Sequence, residues 1–282
     1  MNSSKYYWYA IPSLLLIVSC TKFQYQTVRP SYVLVNEVTI KGDNGAFTSH
    51  NIRDVWIYGD DQYIGTMPLP GVMPLQSKFN SITLYPGIRN YGILSKPEIY
   101  VLMNNYKSAA SIGISDTIYL KPFFTYKSGL QTYLLESFET NNIFTVDVDQ
   151  DGMTSVSRTS QEFREGNYSG TGSVSADHKL LECATKSFTV ASSSAVHSIY
   201  LELDFKSNIN LSIGLINSTR SKKNYFLTLV PSTDWKKIYI PLYEIDGMEI
   251  NSALQLALWM QSSDGQANGR FFIDNVRVIS MP

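Results

Sequence analysis

Residues 147–152 read Asp-Val-Asp-Gln-Asp-Gly, and that spacing is the one a calcium loop uses. Asp147, Asp149 and Asp151 stand at its positions 1, 3 and 5, with Gly152 at position 6 for the sharp turn. Position 12, where a bidentate Glu closes such a loop, is Arg158, whose charge would repel the ion. The flanks "IFTV" and "MTSVS" read as two strands. The preferred reading is therefore a hairpin turn, for which Asp-Gly is itself a strong signal.

A second set of residues suits saccharide binding, which needs exposed aromatic faces beside amides or carboxylates. In "LQLALWMQ", Leu254, Leu256, Leu258 and Met260 share one face of a strand, and Gln255, Ala257, Trp259 and Gln261 the other. A Trp between two Gln makes a candidate platform, and Tyr239 faces outward by the same alternation. Two other readings stay open: both sheet faces are buried, or a one-residue bulge inverts the assignment. Catalysis has little support. His50, His178 and His197 sit in polar stretches without a nucleophile motif, and no metalloprotease or phosphate-loop pattern occurs. A carboxylate-pair glycosidase leaves no spacing signature and stays open. Cys183, in "LLECATKSF", reads as a buried, inert thiol. The expectation is a protein that is not an enzyme.

These groups need a scaffold and a compartment. Tyr6–Val18 is an apolar run of 13 residues behind a single charge, Lys5. A spanning helix needs about 20 apolar residues, so the run reads as an export signal. Its end, Ile17-Val18-Ser19-Cys20, resembles the bacterial lipobox. That resemblance implies cleavage before Cys20, acylation of its thiol and new amino group, and attachment to a membrane. Cleavage there leaves 263 of the 282 residues, with 22 basic and 24 acidic side chains. A net charge of −2 argues against a nucleic-acid partner, which needs a basic face. With Cys20 acylated, Cys183 has no partner in the chain, so no disulfide is expected.

Residues 20–31 read as the lipidated Cys and a tether. Beyond them, short segments rich in β-branched and aromatic residues ("SYVLVNEVTI", "DVWIYG", "SITLYPG", "PEIYVLM") alternate with turn signals at Gly59-Asp60-Asp61, Pro70-Gly71 and Pro86-Gly87. This style over residues 32–126 suggests an immunoglobulin-like sandwich. Residues 127–133 are the least patterned and read as a linker. From 134 to 282 the alternation is cleaner. Leu201, Leu203 and Phe205 oppose Glu202, Asp204 and Lys206, while Ile209, Leu211, Ile213 and Leu215, and Ile238, Ile240 and Leu242, point inward. Half-buried strands of this kind belong to an antiparallel jelly roll. The expected fold is all-β: two β-sandwich domains, immunoglobulin-like followed by jelly roll.

Three segments carry a family resemblance. "LLESFET" and "RFFIDNVRVI" resemble the first and last strands of galactose-binding-like jelly rolls, and "TDWKKIYIPL" resembles their late Trp-bearing strand. The likeness covers 134–282 and implies framework more than ligand. Carbohydrate-binding members often hold a structural calcium between acids of the first strand and an Asp of the last, which implies Glu136, Glu139 and Asp274 here. The plainer alternative is that both Glu are solvated and Asp274 caps a turn. "DVWIYGDDQYIGTMPLPGVMPL" and "LYPGIRNYGI" resemble lipoproteins of Bacteroidetes outer membranes, which implies a compartment and no activity. Taken together, the sequence suggests a lipid-anchored outer-membrane lipoprotein serving as an interaction subunit of an envelope assembly. Its partners would be the membrane, through Cys20, and an outer-membrane protein, and no cofactor is required. The alternative is a carbohydrate-binding lipoprotein with a glycan on its jelly roll. The lack of an acidic run after Cys20 points to the periplasm and the modules to the cell surface, with a slight lean to the surface.

Overall fold

The computed structural model describes residues 29–42, 47–190, 198–246, 252–262 and 268–282. Cys20, the export run and His197 lie outside these residues. Among the described residues there is no α-helix, only a 3-10 turn at Leu242–Glu244 among the strands. The chain is all-β.

The first half forms β1 (Ser31–Val35), β2 (Thr39–Ile40), β3 (Asp54–Gly59), β4 (Gln62–Pro68), β5 (Gly71–Leu75), β6 (Ile82–Arg89), β7 (Pro97–Ile99), β8 (Tyr106–Ser108), β9 (Thr117–Leu120) and β10 (Phe123–Phe124). One sheet runs β4-β3-β6-β7, with β8 also on β6. Facing it are β5-β1-β9 and the pair β10-β2, in which β1–β9 and β2–β10 are parallel. Alternation selects the core: Val33 and Val35, Val55 and Ile57, and Ile82 and Leu84 are all fully buried. The expected turn at residues 59–61 forms, with Asp60 and Asp61 left-handed at φ 46° and 65°. Pro86-Gly87, expected as a turn, lies inside β6 instead. A Cβ on Gly87 would sit 2.5 Å from the Trp56 ring and 2.7 Å from the Asp54 carbonyl oxygen, so the glycine lets β3 lie close alongside.

The second half forms β11 (Gln131–Glu136), β12 (Val146–Asp147), β13 (Ser157–Thr159), β14 (Ser169–Ser175), β15 (Leu180–Ala184), β16 (Phe188–Thr189), β17 (Tyr200–Ser207), β18 (Leu211–Asn217), β19 (Lys223–Leu229), β20 (Ser232–Pro241), β21 (Ala253–Gln261) and β22 (Asn268–Ser280). Two six-stranded antiparallel sheets face each other. One runs β13-β14-β22-β17-β20 with β11 on β22, and the other β12-β15-β21-β18-β19 with β16 on β21. Leu201, Leu203, Phe205, Ile238, Ile240, Ile213 and Leu258 fill the space between them, as their alternation predicts. The stretch expected as a linker is not slack. Lys127 N donates to Leu102 O at 2.9 Å, and residues 131–132 already pair with Ser280 and Ile279.

Much of the outer face of the β17–β20–β22 sheet is shut off from water. Glu202 and Asp204, expected on a polar outer face, are both 0% exposed because the first sandwich covers them. Tyr100 and Tyr126 donate their hydroxyls to Glu202, and Ser49 donates to Asp204 at 2.5 Å. Arg277 and Lys237 reach Glu202 from the sheet itself, at 2.9 and 3.4 Å. The Tyr100 ring packs edge-on against Tyr200 at 5.1 Å and tilted against Tyr239 at 5.0 Å. Tyr200, Tyr239 and Ile279 thereby belong to the hydrophobic cluster of the first sandwich, not to that of their own. The two halves share a core.

Candidate functional site

The alternation read in β21 holds. Leu254, Leu256, Leu258 and Met260 are buried in the sandwich, and Trp259 stands partly exposed on the outer face. Register lines up a polar row across that face: Glu182 on β15, Trp259 on β21, then Ser212 on β18 and Thr228 on β19. The Tyr225 ring comes within 6.5 Å of Trp259, tilted by 52°. Glu182 accepts from Tyr225 Oη at 2.6 Å and from Lys223 Nζ at 2.8 and 2.9 Å, while Ser212 and Thr228 share a hydrogen bond of 2.8 Å. Burial first, and then the Glu182 hydrogen bond and charge, push the Tyr225 phenol well above its usual range. It remains a neutral donor. Two aromatic faces beside a carboxylate, hydroxyls and an ammonium can stack a sugar ring and bond its hydroxyls.

The other expected ligand residues divide. Gln261 is exposed at the end of the same face and can join the row. Gln255 cannot: it is 5% exposed, and its Nε2 donates to Thr185 O at 2.9 Å. Val148 packs with Ala184, Ile216 and Ala257 and closes that end of the face to ligand. Tyr239 cannot either. At 1% exposure it lies between the sandwiches, its hydroxyl accepting from Asn51 N at 3.2 Å. Sequence alternation missed Tyr225, Glu182 and Lys223, which reach Trp259 only through strand pairing. The single sequence signal available was the outward phase of Glu182 in "LLECA". Cys183, one residue on, points into the core at 3% exposure, and burial raises its thiol pKa far above normal. It is an inert thiol.

Asp147, Asp149 and Asp151 do come together, with ligand oxygens within 4.8 Å of one another. The hairpin expected around them does not form: β12 pairs with β15, and β13 with β14. The carboxylates instead take up backbone amides. Asp147 accepts from Gln150 N and Gly152 N (2.7 and 3.0 Å), Asp149 from Glu182 N (2.8 Å), and Asp151 from Met153 N and Thr154 N (2.7 and 3.0 Å). A hydrogen bond with Asp149 lowers the Asp147 pKa, while burial raises that of Asp149. The loop is thereby fixed beside Glu182.

Glu136, Glu139 and Asp274 are not gathered into one calcium site. Among the described residues, the three-carboxylate group close enough to hold an ion is the aspartate loop above. Glu136 accepts from Phe138 N and Ile143 N, both at 2.6 Å. Glu139 accepts from Asn167 N and Tyr168 N, at 2.9 and 3.0 Å. Asp274 accepts from Arg164 N and Glu165 N, at 2.9 and 3.2 Å, and burial lifts its pKa to about 6. Glu136 and Asp274 each staple a loop to a strand, and Glu139 ties two loops together, through backbone amides.

No protein-family model matches the chain, and no curated protein matches it. Among solved structures it is similar to the family 30 carbohydrate-binding module of a Clostridium thermocellum cellulosomal cellulase, at 14% identity and a TM-score of 0.36, over 53% of this chain and 93% of the module. A C-terminal family 22 carbohydrate-binding module from a Clostridium thermocellum protein is similar at 13% identity and a TM-score of 0.33, over 53% of this chain and 94% of that one. An exo-β-agarase is similar at 11% identity and a TM-score of 0.34, over 55% of this chain and 23% of the agarase. Likenesses this remote assign no ligand and no residue.

Proposed function

We propose that the chain is a non-catalytic, glycan-binding lipoprotein of the outer membrane, anchored through Cys20 and facing the cell surface. The observation that carries the reading is the Trp259–Tyr225 pair, partly exposed at the centre of a polar row on the outer sheet face. The aromatic pair supplies the stacking surface, and the exposed Lys223, Thr228 and Gln261 supply directional hydrogen bonds around it, with the buried Glu182 and Ser212 holding Lys223 and Thr228 in place. A glycan array probed with the purified chain should return a neutral oligosaccharide. Trp259→Ala should weaken that binding about thirtyfold, the loss of about 2 kcal/mol that truncating a central aromatic anchor brings. Silence on the array, or an unchanged affinity in Trp259→Ala, would remove the reading.

The partner-binding role keeps one observation of its own. On the outer face of β5-β1-β9, Val72 and Tyr119, 54% and 70% exposed, flank Leu34 in the strand register, and Tyr32, 37% exposed, stands two residues along β1 on the same face. A patch of this kind beside the start of the first strand suits a protein neighbour. Membrane preparations test both statements together. Cys20→Ser should release the chain from the membrane, and retention of that variant would refute the lipid anchor. A stoichiometric co-purifying protein that is lost with Tyr119→Glu supports the partner, whereas recovery of the chain alone removes it. Protease treatment of intact cells reports which face the sandwiches occupy.

A further inference from the structure

A cleft of about 700 Å³ lies where the two sandwiches meet beside the edge strands β19 and β20, and it reaches the Trp259 row only at Thr228. Arg53, Arg89, Arg164, Lys236 and Lys237 line it, and no Asp or Glu side chain does. In a chain of net charge −1, five cations around one cleft are not background. Some of them are already paired from behind the wall. Asp54 holds Arg89 at 2.9 Å, and Lys237 lies 3.4 Å from Glu202 and 3.5 Å from Asp204. The rest face outward. Arg164, with a side chain 41% exposed, comes only within 3.7 Å of Asp204, which already serves Lys237. Arg53 spends its Nε on Asn51 Oδ1 at 2.6 Å, and its terminal nitrogens stay available. Neither Arg53 nor Lys236, both exposed, has an acidic partner among the described residues. Burial first, and then the charges of Arg164, Arg53 and Lys237, lower the pKa of His50, which also lines the cleft. Trp235 adds a partly exposed aromatic face on the same cleft, backed by Phe272 at 6.5 Å.

We propose that this cleft binds an anionic polysaccharide, with carboxylate or sulfate groups on Arg53, Arg164 and Lys236 and a sugar ring against Trp235. A cleft lined by one sign of charge focuses the field and attracts counter-charged ligands. Guanidinium groups grip planar oxyanions through two parallel hydrogen bonds. The shared core holds the two walls in fixed relation, so little ordering is left for the ligand to impose. The choice of a saccharide over another polyanion rests on the glycan-binding reading above; the positive cleft does not.

The full-length chain tests this with four probes: polygalacturonate, dextran sulfate, neutral dextran and polyglutamate. The chain should bind polygalacturonate, dextran sulfate or both, and should not bind dextran; which of the two binds assigns carboxylate or sulfate. Raising salt from about 50 to about 300 mM should weaken the binding about tenfold or more, because exposed charges are screened. The double variant Arg53→Ala/Lys236→Ala should also lose about tenfold, roughly the worth of two solvent-exposed ion pairs. Both side chains are exposed, so the fold survives their removal, and the neutral-oligosaccharide signal of the Trp259 face reports that it has. Trp235→Ala should weaken both saccharides. Unchanged binding in the double variant, or no binding of either anionic saccharide, would overturn the proposal. Polyglutamate bound as tightly as the saccharides would overturn it in favour of an acidic peptide. If the glycan array is silent, only the Trp259 reading falls, since the polyanion probes still read the cleft.

Discussion

Glu202→Gln should cost the protein about 3–5 kcal/mol, the range for breaking a buried ion pair from one side. In a chain of this size that corresponds to a fall in melting temperature of roughly 6–20 °C. The carboxylate is 0% exposed and serves four partners: Arg277 at 2.9 Å, Lys237 at 3.4 Å, Tyr126 at 3.1 Å, and Tyr100. Burial alone would push its pKa up, but the charges of Arg277 and Lys237 outweigh that and hold it below the usual range. An amide of the same shape keeps the volume and removes the charge. Arg277, whose Nε already lacks a hydrogen-bond partner, is then left buried without its ion pair. Lys237 keeps Asp204 at 3.5 Å, so the larger share of the cost falls on Arg277. The sign with pH follows from the depressed pKa. The carboxylate's contribution is present at neutral pH and is lost as pH falls through its folded-state value, so acid should destabilise the native chain more than the variant. Calorimetry across pH checks both statements. A variant within 1 kcal/mol of the parent would mean the two cations find other partners on relaxation.

The network also marks where sequence reasoning stops. Alternation divides a strand into two faces, and it sorted β17, β18, β20 and β21 correctly. Leu201, Leu203, Ile213, Ile240 and Leu258 are all within 1% of full burial. What alternation cannot tell is what covers the second face. Glu202, Asp204 and Lys237 look the same in a sequence whether they meet water or a partnering sheet, and a stretch more than sixty residues away decides which. Tyr239 failed as a ligand residue for that reason and Gln255 for a related one, since it is buried with its amide on Thr185 O. Irregularities hide as well. Asn275 adopts φ 50° and β22 slips register against β17, so Phe271 and Ile273 point inward before the slip and Val276 and Val278 after it. An even–odd reading of "RFFIDNVRVI" cannot carry through that point. "DVDQDG" misled through its side chains. Its aspartates fix the loop by taking amides locally, and β12 finds its partner more than thirty residues on. The outward placement of Trp259 was legible because it needed only the alternation of its own strand and a face left partly open.

The isolated halves should behave less independently than two sandwiches with separate cores. Cutting the chain after Lys127 keeps β11 whole, yet it strips cover from Tyr200, Tyr239 and Ile279, which are 1%, 1% and 2% exposed in the intact protein. Burying side chains of that size contributes about 1.5–3 kcal/mol each, so the cut forfeits on the order of 5 kcal/mol. A single domain has only about 5–15 kcal/mol in hand. The loss falls unevenly. The second half retains its own large cluster around Leu203, Ile213 and Leu258, whereas the first half has Tyr200, Tyr239 and Ile279 built into its cluster and would expose Tyr100 to water. We therefore expect the intact chain to melt in one transition and 128–282 to fold alone at a lower temperature. The piece 29–127 should fail to melt cooperatively, being near the size at which a sandwich without disulfides is marginal. Two resolved transitions in the intact chain, or a first half that melts cooperatively on its own, would refute the shared core. The result reaches beyond stability, because the cationic cleft has one wall from each half. If the halves part below the unfolding temperature of either, Arg53 and Lys236 no longer face one space, and affinity for a polyanion should fall in step with the first transition.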